Sequence, residues 1–328
     1  MQPIKVGVIG TGNMGRHHAR IYNELDESEL VAIADIDEHT GNKLARQYNC
    51  KYYKNYHEML HDESIQAISI AVPTKLHKQV ALDVINHRKH ILLEKPIAET
   101  LEDAQTIMKA AKSAGIKLFI GHIERFNPAV QKLKQIMDAG RLGKVTSIIA
   151  RRVGLPPAKI NDTNVLLDLA VHDIDVINYL LGSEPELVHA TSGNAIIQHT
   201  KDRAEILLKH NDVTSFIQVN WITPIKIRSL SITGTNGYAE LDYVNQHITL
   251  YESPGHHSLM FENFQEFITR FSPDKIDIGI NKEEPLKNEI KSFLSCIQNN
   301  INPDVSGQDA ILALKIALQA IKDEQPKK

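Results

Sequence analysis

The chain has 328 residues, of which 42% are hydrophobic and 23% charged, with a formal net charge of −3. That length exceeds one ordinary core and suits two domains, and the apolar content excludes an extensively disordered chain. The near-neutral charge, without a long Lys/Arg run, argues against nucleic acid as a partner, and no apolar stretch reaches the roughly 18 residues that would span a membrane.

Up to about residue 121, short β-rich runs alternate with segments of helical periodicity. Ile4–Ile9, Leu30–Ala34, Ala67–Ala71, His90–Leu93 and Lys117–Ile120 read as strands. Near-continuous apolar strands joined by helices predict an α/β domain over residues 1–121, with a doubly wound parallel sheet. The first strand runs straight into a glycine loop with no export signal, so the cytoplasm is the expected location. Cys50 and Cys296 lie in different halves of the chain without a CxxC motif, which predicts reduced, inert thiols. The 16 histidines include the adjacent pairs His17-His18 and His256-His257, which lack ligand spacing, and no metal is expected.

The glycine loop is Gly10-Thr11-Gly12-Asn13-Met14-Gly15, and a helix follows it. Gly10 permits a tight turn, Gly12 lets the backbone approach a pyrophosphate, Gly15 allows close helix–strand packing, and the helix N-terminus offers its amides. Asp35 ends the second strand 20 residues after Gly15, where a carboxylate accepts hydrogen bonds from a ribose 2′-hydroxyl. Ile36 follows it in place of a cation for a 2′-phosphate, so the pattern predicts a dinucleotide site that prefers NAD to NADP. Val72-Pro73-Thr74 ends the next long strand at the crevice of the sheet. This puts Pro73, Thr74 and His77 near a cofactor ribose, the alternative being a helix entry capped by Thr74. Glu94-Lys95-Pro96 ends the fourth strand, and a lysine there projects toward the place of a nicotinamide.

The pattern changes near Pro128. A helix to about Ala139 leads into a strand, Val145–Val153, and a Pro-rich break, Leu155-Pro156-Pro157. A strongly apolar helix, Val165–Leu181, precedes five or six strand-like runs between Leu187 and Tyr251. Residues 122–328 therefore read as an α+β domain with a largely antiparallel open sheet. Two helices, Lys282–Gln298 and Gly307–Lys322, finish the chain. Ser306 is the expected N-cap of the second, which is expected to pack back on the first domain. Glu252–Asn281 shows no readable periodicity.

On the apolar helix, Asn164, Asp168, His172 and Asp175 follow at spacings of four, four and three, which forms one polar stripe. A solvated stripe with a helix-stabilising pair worth about 0.2–0.5 kcal/mol is the plain reading. Alcohol oxidation by a dinucleotide offers another. It needs a base for the hydroxyl proton, a cation near the developing alkoxide and a carboxylate to orient the base. His172, Lys95 and Asp168 supply these roles.

Gly10–Gly15, Glu94-Lys95-Pro96 and Asp168-Leu169-Ala170-Val171-His172, in this order, make the whole chain resemble the glucose–fructose oxidoreductase and inositol dehydrogenase family of NAD(P)-dependent sugar dehydrogenases. The resemblance implies that Lys95 and His172 lie beside the nicotinamide, with Glu94 also among the cofactor residues, and that the active site falls between the domains. It also implies a homodimer or homotetramer formed through the C-terminal sheet. More narrowly, Gly121-His122-Ile123-Glu124-Arg125-Phe126-Asn127-Pro128 with Leu167–Asp175 resembles the UDP-N-acetylglucosamine 3-dehydrogenases. Those enzymes make a 3-keto nucleotide sugar for a partner aminotransferase. This narrower likeness implies substrate contacts from His122, Arg125, Asn127, Asn164, Asp168 and one of Arg151 and Arg152, with Arg151 our assignment, since neighbours on a strand face opposite ways. Ordinary salt bridges are the plain alternative for the arginines. A dehydrogenase of a free cyclic polyol such as inositol is the rival enzyme. A non-catalytic NAD-responsive binding protein is the rival of another class.

Overall fold

The computed structural model describes residues 2–156, 163–252, 265 and 275–322. Pro157 of the predicted break, the pair His256-His257 and most of the unreadable 252–281 stretch lie outside the described residues. The chain forms two compact units, Met1–Phe126 with Glu284–Lys315 and Asn127–Glu283 with Ile316–Lys328.

In the first unit, six strands form a parallel sheet: β1 (Ile4–Ile9), β2 (Ser28–Ala34), β3 (Lys51–Tyr53), β4 (Ala67–Ile70), β5 (His90–Glu94) and β6 (Leu118–Gly121). Their order is β3-β2-β1-β4-β5-β6, so the strand sequence reverses between β1 and β4, where open α/β sheets bind ligands. Val6, Val8, Ile68, Ile70 and Ile91–Leu93 have no solvent exposure, as strands covered on both faces require. Helices α1 (Gly15–Glu24), α2 (Glu38–Gln47), α3 (Tyr56–Leu60), α4 (His77–Asn86) and α5 (Leu101–Ala114) connect them. Asp37 caps α2 through the amides of His39 and Thr40, and Thr100 caps α5 through that of Asp103. The later helix α8 (Pro285–Gln298) packs on α1 in the same unit.

The second unit is built on an eight-stranded sheet, into which β7 (Val145–Val153) runs as a central strand. The others are β8 (Leu187–Gly193), β9 (Arg203–His210), β10 (Val213–Asn220), β11 (Ile227–Gly234), β12 (Gly237–Asp242), β13 (His247–Glu252) and β14 (Lys275–Ile278). Every pairing is antiparallel except β7 with β10, so the sheet is mixed at that one point. Along β7, Ile148, Ala150 and Arg152 are buried while Ile149 and Arg151 are exposed, the period-2 alternation of a sheet with one covered face. Helices α6 (Pro128–Asp138) and α7 (Val171–Leu181) cover it.

The predicted helix from Val165 is not uniform, because Leu166–Ala170 forms a π-helical turn before α7 begins. Such turns insert a residue into the i→i−4 ladder and occur disproportionately at functional sites. The last helix, α9 (Gly307–Lys322), starts from a reciprocal cap in which Ser306 and Asp309 bond each other's amides.

Candidate active site

At the end of β1, Gly10 has φ +86°, and a Cβ there would meet the Ala71 carbonyl oxygen at 2.6 Å. A Cβ on Gly15 would stand 1.8 Å from the Gly10 carbonyl oxygen, so the start of α1 reaches the strand only without a side chain. A Cβ on Gly12 would meet nothing within 4 Å, which leaves that backbone open to a ligand approaching over the loop. No side chain caps α1 at Met14 and its first turn carries no acidic residue, so the positive helix end faces no competing anion of its own.

Asp35 is fixed beside this loop. Its Oδ2 accepts from the amide and the hydroxyl of Thr11, each at 2.6 Å, and its Oδ1 accepts from the Asp37 amide at 2.8 Å. A hollow of about 280 Å³ opens here, walled by Gly10, Gly12, Asp35, Ile36, Val72 and Pro73. Ile36 is 87% exposed on its rim and brings no cation. Lys54 and Tyr56 also line the hollow; sequence reasoning missed both, since neither belongs to a motif. These residues fit a dinucleotide, whose pyrophosphate the Gly10–Gly15 amides would hold and whose ribose Asp35 would hold.

A larger hollow of about 470 Å³ lies at the amino ends of β4 and β5, with His61, Glu63, Arg88 and Lys89 in its wall. Ligands of open α/β sheets bind at the carboxyl ends, which makes the smaller hollow the candidate cofactor site. Buried Lys89 is already committed there to the carbonyls of Asp62 and Ile65, at 2.7 and 2.9 Å. His57-Glu58-Met59-Leu60-His61, beside that hollow, spells HExxH, a zinc-site pattern that the sequence reading overlooked. Its helix α3 ends at Leu60, His57 leans toward Asp83 at 4.0 Å and His61 meets the His87 ring edge-on. Among the described residues no three His, Cys, Asp or Glu side chains converge on a point where an ion would sit.

Glu94 is buried at the end of β5. Its Oε1 is 2.9 Å from Nε2 of His18, and its Oε2 accepts from the Lys95 amide at 3.3 Å. Burial pushes the Glu94 carboxyl up, but the His18 hydrogen bond and the neighbouring His18, Lys95 and His77 outweigh it and hold it below the usual range. Nδ1 of His18 is 3.1 Å from the Ser69 hydroxyl, which meets Tyr22 at 2.8 Å. Gly15, His18, Ala19 and Tyr22 share the buried face of α1, so the three-and-four spacing was the available signal for His18.

Glu289 of α8 is 0% exposed, and neither carboxyl oxygen has a hydrogen-bond partner among the described residues. Burial first, then the nearby Glu94 carboxylate, raises its pKa well above the usual value. An acid whose folded pKa is raised stabilises the fold least above that pKa, because the unfolded chain ionises freely and the folded one does not. Glu289→Gln is therefore expected to raise the melting temperature at neutral and alkaline pH and to lose that advantage below about pH 4, near the ordinary carboxylate value. Melting curves across pH check this, and a pH-independent difference would contradict it.

His77 does not reach outward to a ribose as expected. Its ring is buried, with Nδ1 2.8 Å from the Pro96 carbonyl oxygen and Nε2 2.9 Å from that of Val72. Thr74 begins a short 3-10 turn, Thr74–Leu76, and its side chain is not a cap.

In the second unit, Asn164 caps the π turn by accepting the Leu166 and Leu167 amides at 3.0 and 3.1 Å. Its side-chain oxygen is thus engaged in structure. Asp168 lies within the π turn and His172 in the first turn of α7, both half-buried. Asp173, beside His172, is fully buried and takes a two-pronged contact from Arg152, Nε to Oδ2 at 2.8 Å and Nη2 to Oδ1 at 2.9 Å. The same guanidinium lies 4.8 Å from the Tyr243 ring centre. Arg152 is therefore the inward arginine of β7, and Arg151 faces the exposed side.

Most of the Gly121–Pro128 segment is buried. Arg125 is buried against Asp309 at 3.2 Å. Asn127 caps α6 through the Ala129 amide and donates to the Tyr243 carbonyl at 3.1 Å, and His122 is buried. Of these side chains, assigned above to substrate, Asn127 is engaged with backbone and Arg125 with a carboxylate of the same unit.

Residues 4–122 match the oxidoreductase family with an NAD-binding Rossmann fold, and residues 130–240 match the GFO/IDH/MocA C-terminal domain. The chain is 27% identical to myo-inositol 2-dehydrogenase of Thermotoga maritima, with 99% of this chain and 97% of that protein covered. It is 26% identical to the NAD-dependent scyllo-inositol 2-dehydrogenase of Bacillus subtilis, with coverage of 97% and 93%. Its fold superposes with a TM-score of 0.85 on UDP-N-acetylglucosamine 3-dehydrogenase from Acidithiobacillus ferrooxidans, at 26% identity and 98% coverage of both chains. With a glycine loop and fixed acidic residue suited to a dinucleotide, and family matches that together span more than half its length, the chain belongs to the GFO/IDH/MocA oxidoreductases and is an NAD-dependent dehydrogenase of the sugar and polyol class.

Proposed function

We propose that the protein oxidises the 3-hydroxyl of UDP-N-acetylglucosamine to a 3-keto nucleotide sugar. The observation that carries this reading is the full-length likeness to the Acidithiobacillus enzyme, and the resemblance of Gly121–Pro128 to such dehydrogenases adds to it. When bound, NAD supplies the acceptor for the hydride that leaves the sugar carbon. His172 takes the hydroxyl proton, the Lys95 ammonium stabilises the oxygen as negative charge develops, and Asp168 orients the imidazole or holds a neighbouring hydroxyl. Oxidation of a free inositol is the second reading, favoured by the Thermotoga relative. Incubating the protein with NAD and either UDP-N-acetylglucosamine or myo-inositol, while following NADH absorbance with a carbonyl trap present, separates the two. Turnover of inositol alone would reject the nucleotide sugar.

The cofactor assignment has its own test. Asp35→Ala removes a charged acceptor, and loss of such a bond is worth about 1.5–3 kcal/mol, so NAD affinity should fall roughly ten- to hundredfold. Preference for NAD over NADP should shrink as well. Calorimetric titration with each cofactor measures both effects, and unchanged affinities would remove Asp35 from the ribose.

The sheet face turned away from α6 and α7 supports a homodimer or homotetramer. Ile149 and Phe216 pair across β7 and β10 there, 50% and 38% exposed, and Leu187 of β8 lies on the same face at 39%. The ketone product suits an aminotransferase as the next enzyme, and the chemistry needs nothing beyond a cytoplasmic NAD pool.

A further inference from the structure

Two backbone turns at the carboxyl ends of neighbouring parallel strands carry the groups assigned above. Val72-Pro73-Thr74 follows β4, and its Val72 and Pro73 wall the cofactor hollow; Lys95-Pro96 follows β5 and bears the lysine assigned to the chemistry. Strands β4 and β5 are paired, but the turns beyond them lie outside that ladder. The first residue of α4, His77, bridges the gap with Nδ1 at 2.8 Å from the Pro96 carbonyl and Nε2 at 2.9 Å from the Val72 carbonyl. The ring is 1% exposed.

We propose that His77 is a positioning residue that ties the cofactor-side turn to the lysine-bearing turn, each ring nitrogen serving one of them. The inference rests on the roles given to these turns under the proposed function.

Both partners are carbonyl oxygens, which only accept. A neutral imidazole carries one N–H and serves one turn, whereas an imidazolium serves both. Glu94 on β5 is the charged group facing the ring, and on α4 itself the adjacent Lys78 is paired with Asp103 of α5 at 2.5 Å. Burial lowers the imidazole pKa, while the Val72 and Pro96 carbonyls and Glu94 push it back upward. The second tether thus closes as pH falls below the ordinary histidine range.

The two nitrogens can be separated by substitution, because an asparagine amide reaches about as far as Nδ1 and a glutamine amide about as far as Nε2. His77→Asn keeps the Pro96 tether and His77→Gln keeps the Val72 tether. Hydrogen–deuterium exchange measured below the ordinary histidine range, where the wild-type ring serves both turns, is expected to show faster exchange than in the wild type at 72–75 alone in His77→Asn and at 97–99 alone in His77→Gln. In parallel, His77→Asn should weaken NAD binding, and His77→Gln should lower kcat with NAD affinity unchanged. Each change should be roughly two- to tenfold, the worth of one hydrogen bond. Both segments loosening alike in both variants, or neither loosening, overturns the tether. A split in exchange without a split in kinetics keeps the tether and overturns the roles given to the turns. Should an amide variant fail to fold, the wild-type protein carries the test. Corrected for intrinsic exchange, protection should rise as pH falls in the segment whose tether closes, 72–75 or 97–99, and no rise in either segment overturns the proposal.

Discussion

His172→Ala is expected to lower kcat by roughly 10²–10⁴-fold while the affinity for NAD stays within a few-fold, the span usual for removal of a general base. The split follows from placement. His172 lies on α7 of the second unit, whereas the glycine loop and Asp35 that suit the dinucleotide belong to the first. A base contributes where the hydroxyl proton leaves, so its loss appears in the transition state and little in ground-state binding. Asp168→Asn should give a smaller loss, because the imidazole would remain and only its orientation would suffer. Steady-state kinetics with a calorimetric Kd for NAD make the measurement. Full activity in His172→Ala would remove this residue from the proton transfer.

Asp173→Ala, one position further on, should instead destabilise the fold by about 3–5 kcal/mol, the cost of leaving a buried charge without its partner. Arg152 reaches the interior on the covered face of β7, where its neighbours Ile148 and Ala150 are fully buried. The two-pronged contact with Asp173 and the Tyr243 ring make that position tolerable. Replacing both partners, Arg152→Met with Asp173→Leu, should recover much of the loss, since buried ion pairs exchange for apolar pairs of similar volume at little net cost. Chemical denaturation of the three variants reads this directly. If Asp173→Ala is as stable as the parent, the pair is not structural and Arg152 returns to consideration as a substrate ligand.

Most elements of the first unit were legible because hydrophobic runs bounded by glycine and proline carry period and boundary together. Strand β3 was not, since Lys51–Tyr53 is only three residues long and holds one buried side chain. In the second unit, strand-like runs between Leu187 and Tyr251 were visible, five or six of them, but the parallel pairing of β7 with β10 joins residues such as Ser147 and Thr214, far apart in the chain, and local patterning does not encode it. The π turn is similarly silent, because one inserted residue leaves an almost wholly apolar helix looking continuous. Alternation along β7 required one inward and one outward arginine without fixing which, and the assignment of Arg151 fell on the outward one; the buried carboxylate of Asp173 marks Arg152 as inward. Arg125 and Asn127 show the same difficulty at the site. A charged or polar residue beside a motif looks like a ligand in one dimension, and only the fold reveals that Asp309 and the start of α6 have already engaged it.

The most direct test of the account is to follow the hydrogen that it says must move. With UDP-N-acetylglucosamine deuterated at C3, the reduced cofactor should acquire the deuterium and turnover should slow by a primary isotope effect, with both signals suppressed in Lys95→Met and His172→Ala. Reduction of NAD with the deuterium still on the sugar would contradict it.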